Sequence, residues 1–216
     1  MRRWFWPLVK RDLAIAWSGG GLWLPLIFLL LVATLYPFAV GPDARLLGAT
    51  GGGMLWIAAL LAALLPIERL ITPDRDAGVI DQFLSRGISD EMIITAKMTA
   101  HWLGFGPPLM IATLPAAALL KLESYTIANL EVGLAIGTPA LAALAVLVAS
   151  LTSGLRAAGA IAGLLALPLA VPLLIFGAGS LHSDSAAALK FLAAISLLLV
   201  AMTPVAAGAA MRATRE

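Results

Sequence analysis

ERLITPDRDAGVIDQFLSRGISDEMIITAK, residues 68–97, is the one long polar stretch in a chain that is otherwise strongly apolar. Its thirty residues carry four basic and six acidic side chains. Apolar residues recur in it at positions 79, 80, 83 and 84, which is the spacing of one face of a helix. A chain that belongs in lipid and keeps one such segment is expected to present it to a soluble partner on one side of the membrane.

The rest of the chain has the composition of a membrane protein. Of its 216 residues, 61% are hydrophobic and 12% are charged, which is about half the charged share of a soluble domain. Apolar runs of about 20 residues mark membrane spans, and open sheet edges cannot be satisfied in hydrocarbon. We therefore predict an all-α polytopic membrane protein with a single transmembrane domain over residues 1–216. Its six predicted spans are Leu22–Val40, Leu46–Pro66, Met98–Leu120, Leu130–Leu151, Ala157–Ser180 and Leu189–Ala210.

Basic residues are distributed unevenly between the two sides that six spans define. One side holds both termini and residues 68–97, and the other holds only Arg45, Lys121 and Lys190. Because lysine and arginine concentrate on the cytoplasmic side of multi-pass proteins, we predict that both termini and the polar segment are cytoplasmic. The eleven basic residues on that side are Arg2, Arg3, Lys10, Arg11, Arg69, Arg75, Arg86, Lys97, Arg156, Arg212 and Arg215.

Residues 2–17, RRWFWPLVKRDLAIAW, form an amphipathic pattern before the first span. The basic side chains share one half of a helical wheel. The other half collects Trp4, Phe5, Leu8, Val9 and Ile15. Asp12 falls among these apolar residues and does not fit the pattern. We interpret the segment either as a helix that lies among lipid headgroups or as a positively charged anchor that sets topology. Membrane lipid is an expected partner of the chain, and nucleic acid is not.

The polar segment divides into short elements. Pro73 and Asp74 predict a turn, Gly78 a flexible joint, and Gly87 the end of a short helix. Ser89 is the predicted N-cap of the next helix, whose first turn is acidic and suits the positive end of the helix dipole. The short helix is apolar on one face, so the membrane surface, the bundle or a partner must cover that face. Its other face carries Asp81, Gln82, Ser85 and Arg86.

The third predicted span contains Pro107, Pro108 and Pro115. A proline removes a helical hydrogen bond and clashes with the preceding turn. We therefore predict that this span is kinked or broken.

Residue types exclude several chemistries. The chain has no cysteine, which removes disulfides, thiolate metal sites and thiol catalysis. None of its four lysines precedes Ser or Thr, so the lysine motif that binds ATP phosphates is absent. Any ATP would be bound and hydrolysed by a separate subunit, and we predict no catalytic residue and no resident cofactor in this chain.

Asp74, Asp76 and Asp81, close to Gly78, invite comparison with membrane CDP-alcohol transferases, in which carboxylates hold Mg²⁺. Those enzymes place Ala-Arg after an Asp-Gly pair and further aspartates along the helix. This chain has Ala-Gly-Val-Ile after Asp76 instead. We interpret the acidic group as a solvated face and predict no metal site.

Two histidines lie at opposite faces of the predicted bundle and so cannot share a metal or a haem. His101 lies beside Trp102 near the start of the third span, and His182 lies in an outer loop. For His101 and Trp102 we hold two interpretations, which are contact with haem or a proton and a polar contact between helices near the interface. We interpret His182 as a solvated loop residue.

The segment DRDAGVIDQFLSRGISDEMIITAKMTA, residues 74–100, resembles the loop after the second span of ABC-2-type permeases. The matching parts are a charged turn, Gly78, and the run Asp-Gln-Phe-Leu at 81–84. Six spans and an N-terminal interfacial helix fit the same group. The resemblance implies a cytoplasmic coupling helix that docks on a nucleotide-binding subunit. The residues implied in docking are Arg75, Gly78, Val79, Ile80, Gln82, Phe83, Leu84 and Arg86.

Blocks along nearly the whole chain resemble the CcmB family, the permease-like subunits of system I cytochrome c maturation. They are TLYPFAVGPDARLL at 34–47, MLWIAALLAALLPIERL at 54–70, AKMTAHWL at 96–103, IGTPAL at 136–141 and LPLAVPLLIF at 167–176. The resemblance implies a place in the bacterial inner membrane. It also implies four partners, which are the ATPase subunit CcmA, the haem-handling subunit CcmC, the small subunit CcmD and the haem chaperone CcmE.

The resemblance implies two accounts of function. In one, the complex exports haem. In the other, ATP hydrolysis releases haem-loaded CcmE from CcmC, and this subunit carries no haem. The chain lacks the Trp-Asp signature of the haem-handling subunits, which favours the second account. The alternative with another substrate is an ABC-2 permease that exports a lipid or a glycan.

Overall fold

The computed structural model describes residues 2–21, 23–155, 158–182 and 185–213. Within these ranges the chain consists of helices and connections and contains no strand, as predicted. Four residues used in the predictions above, Leu22, Arg156, Ala157 and Arg215, lie outside the described residues. The described helices are α1 Arg2–Ser18, α2 Trp23–Val40, α3 Ala44–Leu64, α4 Ile67–Leu70, α5 Thr72–Asp76, α6 Val79–Ser85, α7 Asp90–Leu119, α8 Ser124–Thr152, α9 Ala158–Gly179 and α10 Ser185–Ala213.

Six spans are long and apolar enough to cross a membrane, counting only the described ranges. They are α2, α3 with the short helices after it, α7, α8, α9 and α10. The prediction of an all-α polytopic membrane protein is therefore confirmed. The third span begins at Asp90 rather than at the predicted Met98, because the Ser89 side chain accepts a hydrogen bond from the Met92 N–H and caps the helix.

Two local predictions concern proline. The helix α7 runs without interruption from Asp90 to Leu119 through its three prolines, so the span is not broken, and the alternative of a kink stays a prediction. Pro73 and Asp74 form part of the short helix α5 instead of a turn. A proline in the first turn of a helix loses no hydrogen bond, because its N–H would have no helical partner there.

The helix α8 is the centre of the bundle. In its most apolar window 72% of the residues are buried, against 17% for α2 and 22% for α9. Residues 140–146 of α8 are all buried, and most of them are alanine. Small side chains let membrane helices approach closely. The Ser196 hydroxyl of α10 accordingly reaches the backbone of α8 and donates to the carbonyl of Ile136 at 2.6 Å.

The indole of Trp56 on α3 fills the space between α3, α8 and α9. It is 1% exposed, and three glycines on the other two helices lie against it. A Cβ added at Gly137 would lie 2.6 Å from the ring, one at Gly177 2.8 Å and one at Gly133 3.1 Å. We call Trp56 with these three glycines the indole cradle. It holds three spans together through shape alone, since the Trp56 Nε1 has no hydrogen-bond partner among the described residues.

Side-chain contacts gather the polar parts of the chain at one end of the bundle. Arg11 of α1 reaches Asp74 of α5, and Arg212 at the end of α10 reaches Glu91 at the start of α7. We call the end that holds α1, residues 66–97 and the last turn of α10 the basic end. The indole cradle lies away from it. The helix α1 packs against the bundle at this end, with its Val9 fully buried.

Candidate functional site

The short helix α6 is delimited by two glycines in left-handed backbone conformations. Gly78 precedes it with a φ of 66°, and Gly87 follows it with a φ of 76°. At its end the N–H groups of Gly87 and Ile88 donate to the carbonyls of Leu84 and Phe83, at 2.8 and 3.1 Å. This is a glycine-terminated helix end, and only glycine adopts such φ angles without strain. The predicted stop at Gly87 is confirmed. Gly78 lies where α5 and α6 join, and its flexibility stays a prediction.

The bundle itself covers the apolar face of α6. Ile80 is 4% exposed, and Phe83 and Leu84 are half-buried against the hydrophobic core. The sequence left open whether the membrane surface, the bundle or a partner covers this face. In the structure the bundle packs against it. The opposite face is exposed. Its side chains are Asp81, Gln82, Ser85 and Arg86, and we call it the polar face of α6.

The eight residues of the predicted docking site differ in their access. Gln82 and Arg86 are exposed on the polar face of α6. Ile80, on the opposite face of the same helix, is buried in the core. Arg75 donates through Nη1 to the carbonyl and the hydroxyl of Ser153, at 2.6 and 3.2 Å, and so joins α5 to the end of α8. The other four, Gly78, Val79, Phe83 and Leu84, are half-buried.

A compact ion cluster lies beside α6 and joins three segments of the chain. Arg11 and Asp12 come from α1, Asp74 from α5 and Lys97 from α7. The Lys97 Nζ lies 2.5 Å from one carboxylate oxygen of Asp74 and 3.3 Å from Asp12. Arg11 binds both carboxylate oxygens of Asp74 and lies 2.7 Å from Asp12. We call these four residues the ion cluster.

The charges of the ion cluster balance, because two cations face two carboxylates. The side chain of Lys97 is only 7% exposed, so its charge would be costly without these partners. Hydrogen bonding to Asp74 raises the pKa of Arg11 above its ordinary value. The Arg11 guanidinium also lies over the ring of Phe83, 5.4 Å from its centroid. This contact ties α6 to the ion cluster.

The ion cluster was missed by the sequence reasoning, although the sequence carried a signal for it. Asp12 interrupts the apolar face of the N-terminal helix, and Lys97 stands at the start of an apolar run. Each of these charged residues is unexpected among its apolar neighbours. Opposite charges that are misplaced on two amphipathic segments indicate a contact between those segments, and here they meet.

His101 and Trp102 point to different neighbours. The His101 Nε2 lies 3.0 Å from the carbonyl of Ala63 on α3, and the His101 ring packs against Phe105. The Trp102 Nε1 donates to the hydroxyl of Thr138 on α8 at 3.1 Å. Both are polar contacts between helices. The two side chains do not converge on one site.

The acidic residues of the polar segment do not converge either. Asp74 belongs to the ion cluster, while Asp76 and Asp81 are exposed. Over the described part of the chain, no three histidine or carboxylate side chains gather where they could hold a metal ion.

Comparison with known proteins identifies the family. The family model described as CcmB protein matches residues 3–214 of this chain. The chain belongs to the CcmB family. The match begins in α1, ends beyond the last described residue of α10, and so includes α6 and the ion cluster of this CcmB-family chain.

Curated relatives align with this CcmB-family chain over nearly their whole length. A protein of Rhodobacter capsulatus named heme exporter protein B is 42% identical over 95% of this chain and 97% of its own. A protein of the same name from Haemophilus influenzae is 39% identical, and one from Escherichia coli K12 is 35% identical, each over 96% of this chain and 97% of its own. The resemblance to the CcmB family predicted from sequence blocks is confirmed.

Proposed function

We propose that this chain is the membrane subunit of an ATP-driven complex that serves haem delivery in the maturation of c-type cytochromes. The observation that carries the proposal is end-to-end similarity to proteins named heme exporter protein B. The chain lacks the lysine motif that binds ATP phosphates, so ATP is bound by a partner. The partners are a CcmA-like ATPase, a CcmC-like haem-handling subunit, a CcmD-like small subunit and a CcmE-like haem chaperone.

The basic end faces the cytoplasm of a bacterial inner membrane in this proposal. The excess of lysine and arginine supports the orientation, because such residues are retained on the cytoplasmic side. The contacts between α1, α5, α7 and α10 add support, since they gather the segments that carry the excess. An ATPase in the cytoplasm then meets the polar face of α6.

Docking uses the polar face of α6, with Gln82 and Arg86 as its most accessible predicted members. Exposed polar and charged side chains suit a contact that forms between folded subunits. Phe83 and Leu84 are half-buried and contribute the accessible part of their side chains to the docking surface. Ile80 is buried and anchors α6 in the core. The proposed docking surface is therefore more polar than the apolar residues at 79, 80, 83 and 84 alone suggested.

Two contacts carry a movement of α6 into the spans. The first runs from Phe83 through the ion cluster to Lys97 on α7. The second runs from Arg75 to Ser153 at the end of α8. Because α8 is the central helix, a push on α5 and α6 reaches the middle of the bundle. In this proposal ATP-driven closure of the motor subunits supplies the push, and release of haem-loaded chaperone is the result.

The absence of the Trp-Asp signature of haem-handling subunits supports the account in which this subunit carries no haem. In this account His101 and Trp102 join helices, through the carbonyl of Ala63 and the hydroxyl of Thr138. ATP hydrolysis would then act on the neighbouring subunits through the shape of this bundle.

The docking proposal is tested with Arg86→Glu on the polar face. Charge reversal there should lower co-purification of the ATPase subunit by about tenfold and abolish c-type cytochrome assembly, while the chain still inserts. Arg45→Glu is the matched control, because Arg45 is an exposed arginine at the start of α3, away from α6. Normal co-purification and normal cytochrome assembly with Arg86→Glu would refute docking at this face.

The wider function is tested by complementation. This chain, expressed with its own ATPase subunit in a strain that lacks its CcmB-family protein, should restore haem-stained c-type cytochromes. Failure of restoration, with the complex assembled and the ATPase active, would contradict the haem-delivery proposal and favour a lipid or glycan exporter. Phe83→Asp in the same strain should block restoration, because it replaces a ring that packs against the hydrophobic core with a carboxylate that competes with Asp74 for Arg11.

A further inference from the structure

A cavity of about 250 Å³ lies between α1, the start of α2, the α4–α5 region and α7. One face of α7 forms its long wall, since the lining residues there are three and four positions apart. From Lys97 to Phe105 this wall extends about 12 Å at the rise of an α-helix. The lining residues on α7 are Lys97, Ala100, His101, Gly104 and Phe105.

The charged side chains at the cavity carry one cation in excess. Lys97 and Arg11 are neutralised by Asp12 and Asp74, the two carboxylates of the ion cluster. Arg69 also lines the cavity and is exposed, and its guanidinium has no hydrogen-bond or ion-pair partner among the described residues. A free guanidinium at the rim of a cavity favours a ligand with an anionic oxygen group, phosphate above all.

The rest of the cavity is apolar. Pro25, Ala100 and Phe105 line it, together with the ring of His101. The His101 Nε2 is held by the carbonyl of Ala63, and the rest of the imidazole lines the cavity. A narrow apolar space beside one charged group fits an amphiphile whose head stays at the charge and whose chain lies along α7.

The connection between α1 and α2 places the cavity at the membrane interface. Gly19 and Gly21 of this connection line the cavity, and they leave space there because they have no side chain. Trp17 and Trp23 flank the connection, with ring centroids 6.2 Å apart and more than half of each side chain exposed. Exposed tryptophans at the end of a span mark the level of the lipid headgroups.

We propose that this cavity binds one phospholipid of the membrane leaflet at the basic end, with its phosphodiester at Arg69 and one acyl chain along the Ala100–Phe105 face of α7. The site takes the phosphodiester rather than a particular headgroup, because Arg69 is its only free cation among the described lining residues. At about 250 Å³ the cavity holds only part of one chain, and the rest of the lipid lies in the bilayer.

The proposal is tested by native mass spectrometry of the delipidated full chain in detergent. Added phosphatidylglycerol and phosphatidylethanolamine should each give one retained lipid. Diacylglycerol, which has the chains without phosphate, and glycerol 3-phosphate, which has phosphate without chains, should give none. Retention of diacylglycerol at the same concentration, or of glycerol 3-phosphate, would overturn the proposal because one half of the ligand would then suffice.

Two variants separate the head and chain contacts. Arg69→Gln removes the charge at an exposed position and should weaken retention of both phospholipids about tenfold. Its control, Arg45→Gln, is exposed at the other end and should bind as the wild type does. Equal retention by Arg69→Gln and the wild type would refute the site.

Ala100→Leu fills the cavity wall and should abolish retention. Ala118→Leu, an exposed position on the same helix, is its control and should leave retention unchanged. Should Ala100→Leu fail to fold, the Arg69→Gln comparison still decides, because that change lies outside the core. A folded Ala100→Leu that retains lipid as the wild type does would contradict the placement of the chain.

Discussion

The basic end and the indole cradle hold the same bundle together by opposite means. At the basic end, four charged side chains from α1, α5 and α7 form a balanced cluster that is partly open to water. In the cradle, one buried indole fits between glycines of α8 and α9 without a single hydrogen bond among the described residues. One region depends on charge balance and the other on close fit.

This difference suits the two regions to different tasks. Shape-fitted packing is stiff, because any rotation of a helix creates a void or a clash. An ion cluster can exchange partners or admit water when its segments separate, so it can open and close again. We therefore expect the basic end to be the part of the molecule that moves in the proposed complex, and the indole cradle to be the part that stays fixed.

The largest loss of stability is expected from Trp56→Ala. It empties the cradle and removes the side chain that α3, α8 and α9 share, at a cost of about 3–5 kcal/mol. Thermal unfolding of the purified chain in detergent measures it. Trp23→Ala is the control, because Trp23 is 54% exposed at the start of α2. Similar melting temperatures for the two variants would show that the cradle does not hold the three spans together.

The next largest effect is expected from Lys97→Met in the ion cluster. It leaves Asp12 and Asp74 with Arg11 alone and should cost on the order of 3 kcal/mol. Lys190→Met, an exposed lysine at the start of α10, should cost little by comparison. Because the lost charge is buried, the loss should persist in high salt.

A second change sharpens the same measurement. Asp74→Asn added to Lys97→Met should cost less than the sum of the two single changes, since it removes a carboxylate that has already lost a partner. Additive losses would mean that Lys97 and Asp74 are not coupled, and the ion cluster would then not act as a unit.

A smaller effect is expected from Gly137→Ala. The added methyl group would lie 2.6 Å from the Trp56 ring, and overpacking of this kind costs about 1–3 kcal/mol. Gly53→Ala is the matched control, because a Cβ there meets no atom within 4 Å and alanine is the better helix former. A stabilising Gly137→Ala would show that the cradle has room to spare.

The smallest effect is expected from Arg212→Gln, which breaks the pair between the end of α10 and the start of α7. The side chain of Arg212 is 47% exposed and that of Glu91 39%, so water and salt screen the pair. Arg212 also lies 3.5 Å from the buried Asp90, which has a further contact and so is not left alone by the change. The melting temperature should fall slightly in low salt and not at all in high salt. A loss as large and as salt-resistant as that of Lys97→Met would remove the distinction between a surface pair and the ion cluster.

The sequence by itself determined the class of the protein, its six spans and the limits of α6. Apolar runs of span length report directly on hydrocarbon thickness, and Gly78, Gly87 and Ser89 act through the backbone beside them. Such signals depend only on neighbouring residues, so they can be interpreted before the fold is known. Blocks such as AKMTAHWL at 96–103 were enough to predict the family, which the comparisons confirmed.

Only the tertiary structure decided which faces meet. It placed the apolar face of α6 on the bundle, paired Asp12 with Lys97, turned His101 and Trp102 towards different helices, and set three distant glycines around Trp56. A helical pattern states that a residue has an apolar or polar neighbour and does not state which one. That choice depends on how helices far apart in the chain cross, and the crossing is set by the packing of the whole bundle.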